Sequence, residues 1–333
     1  MSGTVPLICA ACQGALNPGD RFCEQCGTRL ADVDPDGDVC RVCGTGDSID
    51  ADGYCSVCGT REQTATQRTE LEFQIAAAVS DRGRVHRRNE DACRLEVIDD
   101  EHLAVVVCDG ISSASAGDVA ARKAAAAAAE VLASAFAEPG SDLVAATEDA
   151  IRAARGAVGL VPWTTRQDRD MPSCTLVCAL CREGEIVVGS VGDSRAYWLS
   201  AGTARQLTTD DSWAQEQVAE GLMTAEQARR DRRAHSITNW IGPDAPDRPP
   251  RITRLRPDAP GRLLLCTDGL WNYLADASGL VELVNALPSE ASAAGVARAL
   301  TDMAVSRGGR DNITVAIIDV NPSTGATDEP IHG

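Results

Sequence analysis

From residue 73 onward the chain alternates short apolar runs with turn-forming polar residues, a pattern typical of β-strands. Eight runs predict strands, at residues 73–79, 102–108, 174–181, 185–191, 195–199, 251–255, 262–267 and 313–320. The third and fourth runs are joined through the turn sequence REGE, and a connection this short joins antiparallel neighbours. An antiparallel sheet is therefore expected.

Segments between these runs predict helices. They are an alanine-rich segment near 117–137, a second from about 141 to 158, a pair near 213–232 and one near 289–306. Within the pair, Thr224 and Gln227 have the spacing of a capping box. Because helices are segregated into pairs between groups of strands, the pattern predicts an α+β layered domain rather than a strictly alternating parallel one.

Polar segments bound this domain on both sides. Residues 61–72 have the composition of a short linker, and residues 321–333 form a polar tail. The predicted domain therefore covers residues 73–320, and residues 1–60 remain as a separate N-terminal module.

Eight of the 14 cysteines lie in this module and form four CxxC pairs. The pairs are Cys9 and Cys12, Cys23 and Cys26, Cys40 and Cys43, and Cys55 and Cys58. A CxxC turn directs two thiolates to one point, so two such turns complete a tetrahedral site, and the spacing predicts two small zinc ribbons with two structural Zn²⁺ ions. A ribbon of about 25 residues buries too little apolar surface to fold without its metal. The alternative is that these cysteines are free or redox-active.

Three further cysteines, Cys174, Cys178 and Cys181, fall on one predicted strand. Side chains alternate between the faces of a strand, so the three thiols cannot all face one metal. We interpret them as small buried core residues.

The formal net charge is −18, which argues against a protein that binds the phosphates of nucleic acid. No apolar run approaches the roughly 20 residues of a membrane-spanning helix, and the N-terminus lacks a basic segment followed by an apolar one. A cytoplasmic protein with no nucleic-acid partner and no membrane partner is expected. In that reducing compartment, CxxC pairs favour metal binding over disulfides.

Two of the predicted strands end in the same way, with an aspartate followed by a glycine. LAVVVCDG ends at Asp109 and Gly110, and LLLCTDG ends at Asp268 and Gly269. A single Asp-Gly pair is most simply a turn. Other acidic residues also lie at strand ends or turns, namely Glu90, Asp91, Asp193 and Asp311.

Gathered in a core without matching lysines, these carboxylates would repel one another unless hard cations held them. Oxygen-only ligation suits Mg²⁺ or Mn²⁺, and two such ions can activate a water between them. The acidic residues together therefore indicate hydrolytic chemistry on a phosphate.

The order of these sequences is recognisable over residues 73–320. The series SDRG, H, NEDA, VVVCDG, SCT, VGDSRAYWL, LTTDDS, LLLCTDGLW and GGRDNITV resembles that of the protein phosphatase 2C family, the metal-dependent Ser/Thr phosphatases. The resemblance implies a four-layer α-β-β-α sandwich, with two antiparallel sheets flanked by helices and a metal centre at one edge. It also implies hydrolysis of phosphoserine and phosphothreonine in proteins by a hydroxide that bridges two Mn²⁺ or Mg²⁺ ions, without a phosphoenzyme.

The resemblance assigns the two-metal core to four residues of this chain. Asp109 matches the aspartate that bridges both metals, and Gly110 matches the glycine whose carbonyl oxygen binds the second metal. Asp268 and Asp311 match ligands of the first metal.

Three more acidic positions have roles around that core in the family. Glu90 and Asp91 match an acidic pair that holds metal-bound waters, and Asp193 resembles a residue of a third, weaker metal site in bacterial members. Asn272 stands where the family usually has an aspartate for this third metal. Because a neutral amide is a poorer ligand for a hard dication, the third site is expected to be weak or empty.

The residue five before Asp91 is a phosphate-binding arginine in most family members, and it is His86 in this chain. His86 can donate to phosphate, more strongly when protonated, and Arg87 is the alternative. If imidazolium binds the phosphate, the substrate KM should rise with pH. Ile111 in the following ISSAS segment cannot act as a general acid, so water is expected to protonate the leaving group.

The N-terminal module carries nine acidic and three basic residues before position 60. This charge favours a docking or regulatory module with a protein partner over a DNA-binding one. The predicted substrates are phosphoproteins, the products of Ser/Thr kinases. Two alternatives remain: a catalytically weak pseudophosphatase that acts as a phosphoprotein-binding scaffold, and a zinc-ribbon nucleic-acid binder that the phosphatase domain regulates.

Overall fold

The computed structural model describes residues 57, 68–138, 140–163, 170–274, 276–288 and 290–322 of the 333-residue chain. The four CxxC pairs and their predicted zinc sites lie outside the described residues. The chain divides into one unit of residues 1–65 and a second of residues 66–333, and every element named below belongs to the second unit.

Eleven strands in the described part of the chain form two antiparallel sheets. They are β1 (Arg68–Glu72), β2 (Ala76–Asp81), β3 (Asp91–Val97), β4 (His102–Asp109), β5 (Leu176–Arg182), β6 (Glu185–Val191), β7 (Arg195–Ser200), β8 (Thr203–Gln206), β9 (Arg251–Leu255), β10 (Gly261–Cys266) and β11 (Ile313–Val320). The six-stranded sheet has the order β1-β2-β11-β10-β7-β8, and the five-stranded sheet has the order β3-β4-β5-β6-β9. The predicted antiparallel architecture is confirmed.

Seven helices complete the described elements. They are α1 (Gly117–Ser134), α2 (Leu143–Gly159), α3 (Trp213–Ala219), α4 (Ala225–Arg230), α5 (Asp268–Trp271), α6 (Ser278–Asn285) and α7 (Ala293–Ser306). The predicted capping box at the start of α4 is present, with Thr224 and Gln227 each bonding the other's backbone.

Apolar clusters separate the molecule into four layers. Val105 of β4 packs between the two sheets with Leu265 of β10, whereas its neighbour Val106 packs against Ala124 of α1. On the outer face of the six-stranded sheet, residues of β11 pack against Leu300 of α7. Successive residues of a strand therefore serve different layers, and the predicted α-β-β-α sandwich is confirmed.

The three cysteines near β5 are buried, as predicted. Cys178 packs in the cluster beneath α1 and α2, whereas Cys181 packs between the sheets. The thiols thus face different layers and act as core residues.

The predicted boundary between linker and domain at residue 72 is wrong, because residues 68–72 form β1. This strand pairs with β2 from Arg68 opposite Asp81 to Glu72 opposite Ala77. An edge strand needs few inward apolar residues, and here Leu71 alone packs against the inter-sheet cluster. Arg298 of α7 also binds Glu70 at 2.7 Å.

Besides β1, four further elements were absent from the sequence prediction: β3, β8, α5 and α6. In β3 the exposed Arg94 interrupts the buried residues Ala92, Cys93 and Leu95, so no continuous apolar run marks the strand. Four residues form β8 and four form α5, which is too short for a periodic pattern. None of the helices in the described ranges is long and apolar enough to span a membrane.

Candidate metal centre

Two aspartates meet at one end of the five-stranded sheet. β3 begins at Asp91 and β4 ends at Asp109, and the strand register places these residues directly opposite each other. Like charges in opposed positions destabilise a strand pair. Strand pairing alone therefore does not favour this arrangement, and a bound cation or a bound proton is needed to offset the repulsion.

Asp91 is held by two hydroxyl groups from the opposite sheet. Its Oδ2 accepts hydrogen bonds from Thr267 Oγ1 at 2.9 Å and from Thr314 Oγ1 at 2.7 Å. Asp91 is only 7% exposed, and its second oxygen, Oδ1, is buried without a hydrogen-bond partner among the residues that the structure describes. The threonines thus fix the carboxylate and leave one oxygen available to a ligand.

Asp268 is the first residue of α5 and follows β10 after one residue. Its Oδ2 accepts a hydrogen bond from Asn272 Nδ2 at 3.1 Å, and within the described ranges no group donates a hydrogen bond to its buried Oδ1. The next residue must be glycine, because a Cβ on Gly269 would lie 1.9 Å from the carbonyl oxygen of Asn312. This close approach places the start of α5 against the segment that carries Asp311.

Asn312 ties that segment to the loop before β3. Its Oδ1 accepts a hydrogen bond from Glu90 N at 2.7 Å, and its Nδ2 donates to the carbonyl oxygens of Arg82 at 2.8 Å and Arg88 at 3.0 Å. Asn312 is 3% exposed, so these bonds are shielded from water. The loop that carries Glu90 is therefore fixed relative to Asp311.

Gly110 lies where three backbone segments meet beside Asp109. Its N–H donates to the carbonyl oxygen of Glu90 at 3.1 Å. A Cβ at this position would lie 2.6 Å from the backbone of Gly117 and 2.7 Å from the oxygen of Glu90. No other residue type fits here without moving the backbone.

His86 lies at the edge of the carboxylates. Its Nε2 is 3.1 Å from Asp311 Oδ1, and a guanidinium nitrogen of Arg82 donates to its backbone carbonyl oxygen. Gly83 has a φ of +73°, and a Cβ there would lie 2.2 Å from the carbonyl oxygen of Asp311. Arg87, the alternative phosphate contact, is an exposed residue of the same loop.

The carboxylates have strongly perturbed ionisation. Burial raises the pKa of Asp91 to about 8, although the hydrogen bonds from Thr314 and Thr267 act in the opposite direction. Burial, and after it the charge of Asp311, raises the pKa of Asp268 to about 7. A carboxyl group with a pKa near neutrality is one whose negative charge lacks a positive partner.

Asp109 is the centre of this group. Its pKa lies well above the ordinary value for an aspartate. The largest cause is burial, and the next are the negative charges of four other carboxylates, Asp91, Asp268, Asp311 and Asp193. All four are among the acidic residues at strand ends or turns that the sequence predicted to lie close together. The structure brings them to one place.

The donor set fits hard divalent cations. The converging acidic side chains present oxygen atoms, and the buried Oδ1 atoms of Asp91 and Asp268 have no hydrogen-bond partner among the described residues. A bound dication would satisfy such oxygen atoms. Among the described residues, no three acidic, histidine or cysteine side chains form a ready-made coordination sphere. Asp268 Oδ2 is turned towards Asn272, and Asp311 Oδ1 is turned towards His86.

A cavity of about 370 Å³ lies beside Asp193, beneath the helix pair α3–α4. Arg195 binds Asp210 with an N–O distance of 2.6 Å and places its guanidinium 3.7 Å from the centre of the Trp271 ring. Trp271 donates from Nε1 to the carbonyl oxygen of Asp193 at 3.0 Å, and the ring of His235 stacks on it at 5.9 Å. Asp193 therefore belongs to the wall of this cavity as well as to the acidic group.

Sequence reasoning missed the residues that brace the carboxylates. Thr267 and Thr314 orient Asp91, and Thr175 N donates to the carbonyl oxygen of Asp109 at 2.8 Å. A threonine in a strand is ordinarily a sign of β-propensity alone. The available signal was position, since Thr267 directly precedes Asp268 in the sequence.

The chain is similar in sequence to known proteins of one family. The family model for protein phosphatase 2C matches residues 82–303. The Serine/threonine protein phosphatase PstP of Mycobacterium tuberculosis is 32% identical over 244 residues, which are 73% of this chain and 44% of that protein. The chain therefore spans less than half the length of this relative. The Serine/threonine phosphatase stp of Listeria welshimeri is 31% identical over 248 residues, 73% of this chain and 94% of that protein.

Solved structures agree with these sequence matches. The catalytic domain of PstP in complex with two manganese ions is 30% identical, with a TM-score of 0.57 over 74% of this chain and 97% of that one. Stp1 from Staphylococcus aureus is 25% identical, with a TM-score of 0.63 over 76% of this chain and 98% of that one.

Proposed function

Since the chain belongs to the protein phosphatase 2C family, we propose that it hydrolyses phosphoserine and phosphothreonine in proteins with the help of two Mn²⁺ or Mg²⁺ ions. The observation that carries this proposal is the convergence of buried carboxylates around Asp109, whose pKa values are raised by burial and by one another. Such a group is stable when ionised only if cations offset its charge.

Four residues would hold the two ions. Asp109 would bridge them, the carbonyl oxygen of Gly110 would bind one, and Asp268 and Asp311 would bind the other. Glu90 and Asp91 would hold water beside them. When bound, the ions supply an activated water and offset the charge that develops on the phosphate.

His86 would contact the substrate phosphate. In support, the fixed loop before β3 places its Nε2 next to Asp311, on the border of the carboxylate group. Arg87, one residue further along this exposed loop, is the alternative contact. A group that donates hydrogen bonds at this border would orient the phosphate without occupying the cation sites.

A third cation would bind only weakly beside Asp193. Asn272 lines the same cavity, and its amide nitrogen donates to Asp268. The remaining acceptor of the side chain is a neutral amide oxygen, which is a poorer ligand for a hard dication than a carboxylate, and this supports a weak or empty third site.

We further propose that residues 1–60 form two zinc ribbons that hold two structural Zn²⁺ ions through the four CxxC pairs. Their acidic composition supports a role in docking or regulation with a protein partner. The six cysteines of the described residues are free thiols, which suits a cytoplasmic location, where Ser/Thr kinases would produce the substrates.

The test is Mn²⁺-dependent release of phosphate from a phosphothreonine peptide by the intact protein. Asp311→Ala and a chelator serve as controls, and loss of activity in both is expected. Turnover that persists in the chelator, or an intact protein that binds Mn²⁺ without turnover, would contradict the proposal. The second outcome would support a phosphoprotein-binding scaffold.

A further inference from the structure

Two exposed arginines lie on the rim of the candidate metal centre. Arg84 belongs to the loop that carries His86, and Arg310 directly precedes Asp311. The two loops touch, because Arg84 N donates to the carbonyl oxygen of Gly309 at 2.7 Å. Both arginines are thus anchored next to the place where His86 meets Asp311.

The backbone below these side chains is fixed. Arg310 N donates to the hydroxyl oxygen of Tyr273 at 2.9 Å, which holds the turn before Asp311 against the end of α5. Gly309 adopts a φ of +51°, and a Cβ there would lie 3.1 Å from Arg84 Cγ. The stem of Arg84 therefore packs over this turn, beside the backbone of Arg310.

Neighbouring arginines have partners, whereas these two guanidinium groups have no carboxylate partner among the described residues. Arg122 binds Asp118 at 3.0 Å, and Arg88 lies 3.8 Å from the same carboxylate. In a chain with a net charge of −18, most exposed arginines have an acidic neighbour available. Arg84 and Arg310 leave positive charge directed to solvent at the edge of the site.

We infer that Arg84 and Arg310 bind acidic side chains that flank the phosphorylated residue of the substrate. This inference rests on the proposed phosphatase function. An extended peptide advances about 3.3 Å per residue, so residues next to a phosphate held at His86 must pass over this rim. Val85, which is 67% exposed between Arg84 and His86, offers an apolar contact to the same segment.

The preferred substrate class is therefore a phosphoprotein segment rich in Asp and Glu. Each exposed arginine–carboxylate contact is expected to increase kcat/KM by about twofold to fivefold. The preference should weaken as salt increases, because the contacts are solvent-exposed. It should also appear in KM, since the arginines do not touch the reacting atoms.

The test compares two phosphothreonine peptides that differ only in their flanks, one with Asp on both sides of the phosphothreonine and one with Gln. The kcat/KM ratio of the two peptides is measured with Mn²⁺ for the intact protein and for Arg84→Gln/Arg310→Gln. The matched control is Arg152→Gln/Arg205→Gln, which removes the same charge from exposed positions in α2 and β8. Dissociation constants measured in a chelator by fluorescence anisotropy test the same contacts without turnover.

For the intact protein and the control, we expect kcat/KM to be about fourfold or more higher for the acidic peptide than for the neutral one. For Arg84→Gln/Arg310→Gln, the rim variant, this ratio should be near one. The dissociation constants should show the same preference for the acidic peptide in the intact protein and the control, and none in the rim variant. A rim variant that keeps the intact protein's ratio would overturn the inference, as would an intact protein without preference. Absence of Mn²⁺-dependent turnover on both peptides would instead contradict the proposed function, and the dissociation constants would still decide the role of the arginines.

Discussion

Thr314 carries a contact between the two sheets at the metal centre. Its hydroxyl group donates to Asp91 Oδ2 at 2.7 Å and lies 2.8 Å from Ser80 Oγ. Thr314→Val keeps the shape but removes this donor from a buried carboxylate. We expect a loss of about 1–3 kcal/mol in the free energy of unfolding, measured by urea denaturation.

Thr301 provides a matched control for this substitution. It is fully buried in α7, and its hydroxyl group has no hydrogen-bond partner in the described part of the chain. Thr301→Val should therefore leave stability unchanged or increase it slightly, because no bond is lost. Equal losses for the two variants would contradict the bracing role of Thr314.

Substitutions of His86 test whether this residue contacts the substrate phosphate. His86→Arg replaces the imidazole with a guanidinium, which binds phosphate through two parallel hydrogen bonds, so the phosphopeptide KM should fall. His86→Ala removes the donor, and its KM should rise by about tenfold or more. A KM that is unchanged in both variants would exclude His86 as the phosphate contact.

At the residue scale, the sequence singled out the acidic residues that meet at the site but not the residues that support them. Asp109 and Asp268 stand out because each ends an apolar strand with a charge. Thr314 does not, because strand threonines are common and sequence does not reveal which carboxylate a hydroxyl group reaches. The contact depends on two sheets packing face to face, which only the folded chain specifies.

At the scale of elements, the start of α5 depends on a close approach between two backbones. A Cβ at residue 269 would lie 1.9 Å from the carbonyl oxygen of Asn312. Gly269→Ala must therefore move α5 away from the segment 311–313 and displace Asp268. We expect a loss of about 1–3 kcal/mol in unfolding free energy, together with weaker Mn²⁺ binding, both measured on the purified protein.

Gly156 is the matched control, since it is an exposed residue of α2 whose Cβ would meet no atom within 4 Å. Gly156→Ala should stabilise the protein by about 0.5–1 kcal/mol through helix propensity. A Gly269→Ala variant as stable as Gly156→Ala would show that α5 does not need this approach.

A strand or helix could be predicted from the sequence where its apolar residues form a regular pattern or a continuous run. β4, β10 and β11 are continuous apolar runs, and their positions were predicted. β1 was assigned to a linker because its RTELE sequence is mostly polar, as suits an edge strand. The sheet order of β1 next to β2 also could not be predicted, since pairing depends on the fold and not on the local pattern.

At the scale of the whole molecule, the buried carboxylates link stability to pH. Unfolded aspartates have a pKa of about 3.9, whereas the folded pKa is about 8 for Asp91 and about 7 for Asp268. Between these values the folded state binds more protons than the unfolded state, so stability falls as pH rises. In metal-free buffer, the melting temperature should decrease by on the order of several degrees between pH 5 and pH 8.

Mn²⁺ should reverse this trend, because the cations replace the missing protons. The increase in melting temperature on adding Mn²⁺ should be larger at pH 8 than at pH 5. Asp91→Asn should flatten the pH dependence in metal-free buffer, whereas Asp100→Asn, at an exposed loop position, should not. A melting temperature that rises steadily from pH 5 to pH 8 without metal would contradict this linkage.

If Asp109 bridges two cations, the number of Mn²⁺ ions that bind at the candidate metal centre depends on this one side chain. Isothermal titration calorimetry on the intact protein loaded with Zn²⁺ and on Asp109→Asn measures that number. We expect two Mn²⁺ ions for the intact protein and loss of tight binding at both sites in the variant. An intact protein that binds no Mn²⁺, or a variant that still binds two ions with unchanged affinity, would contradict this expectation.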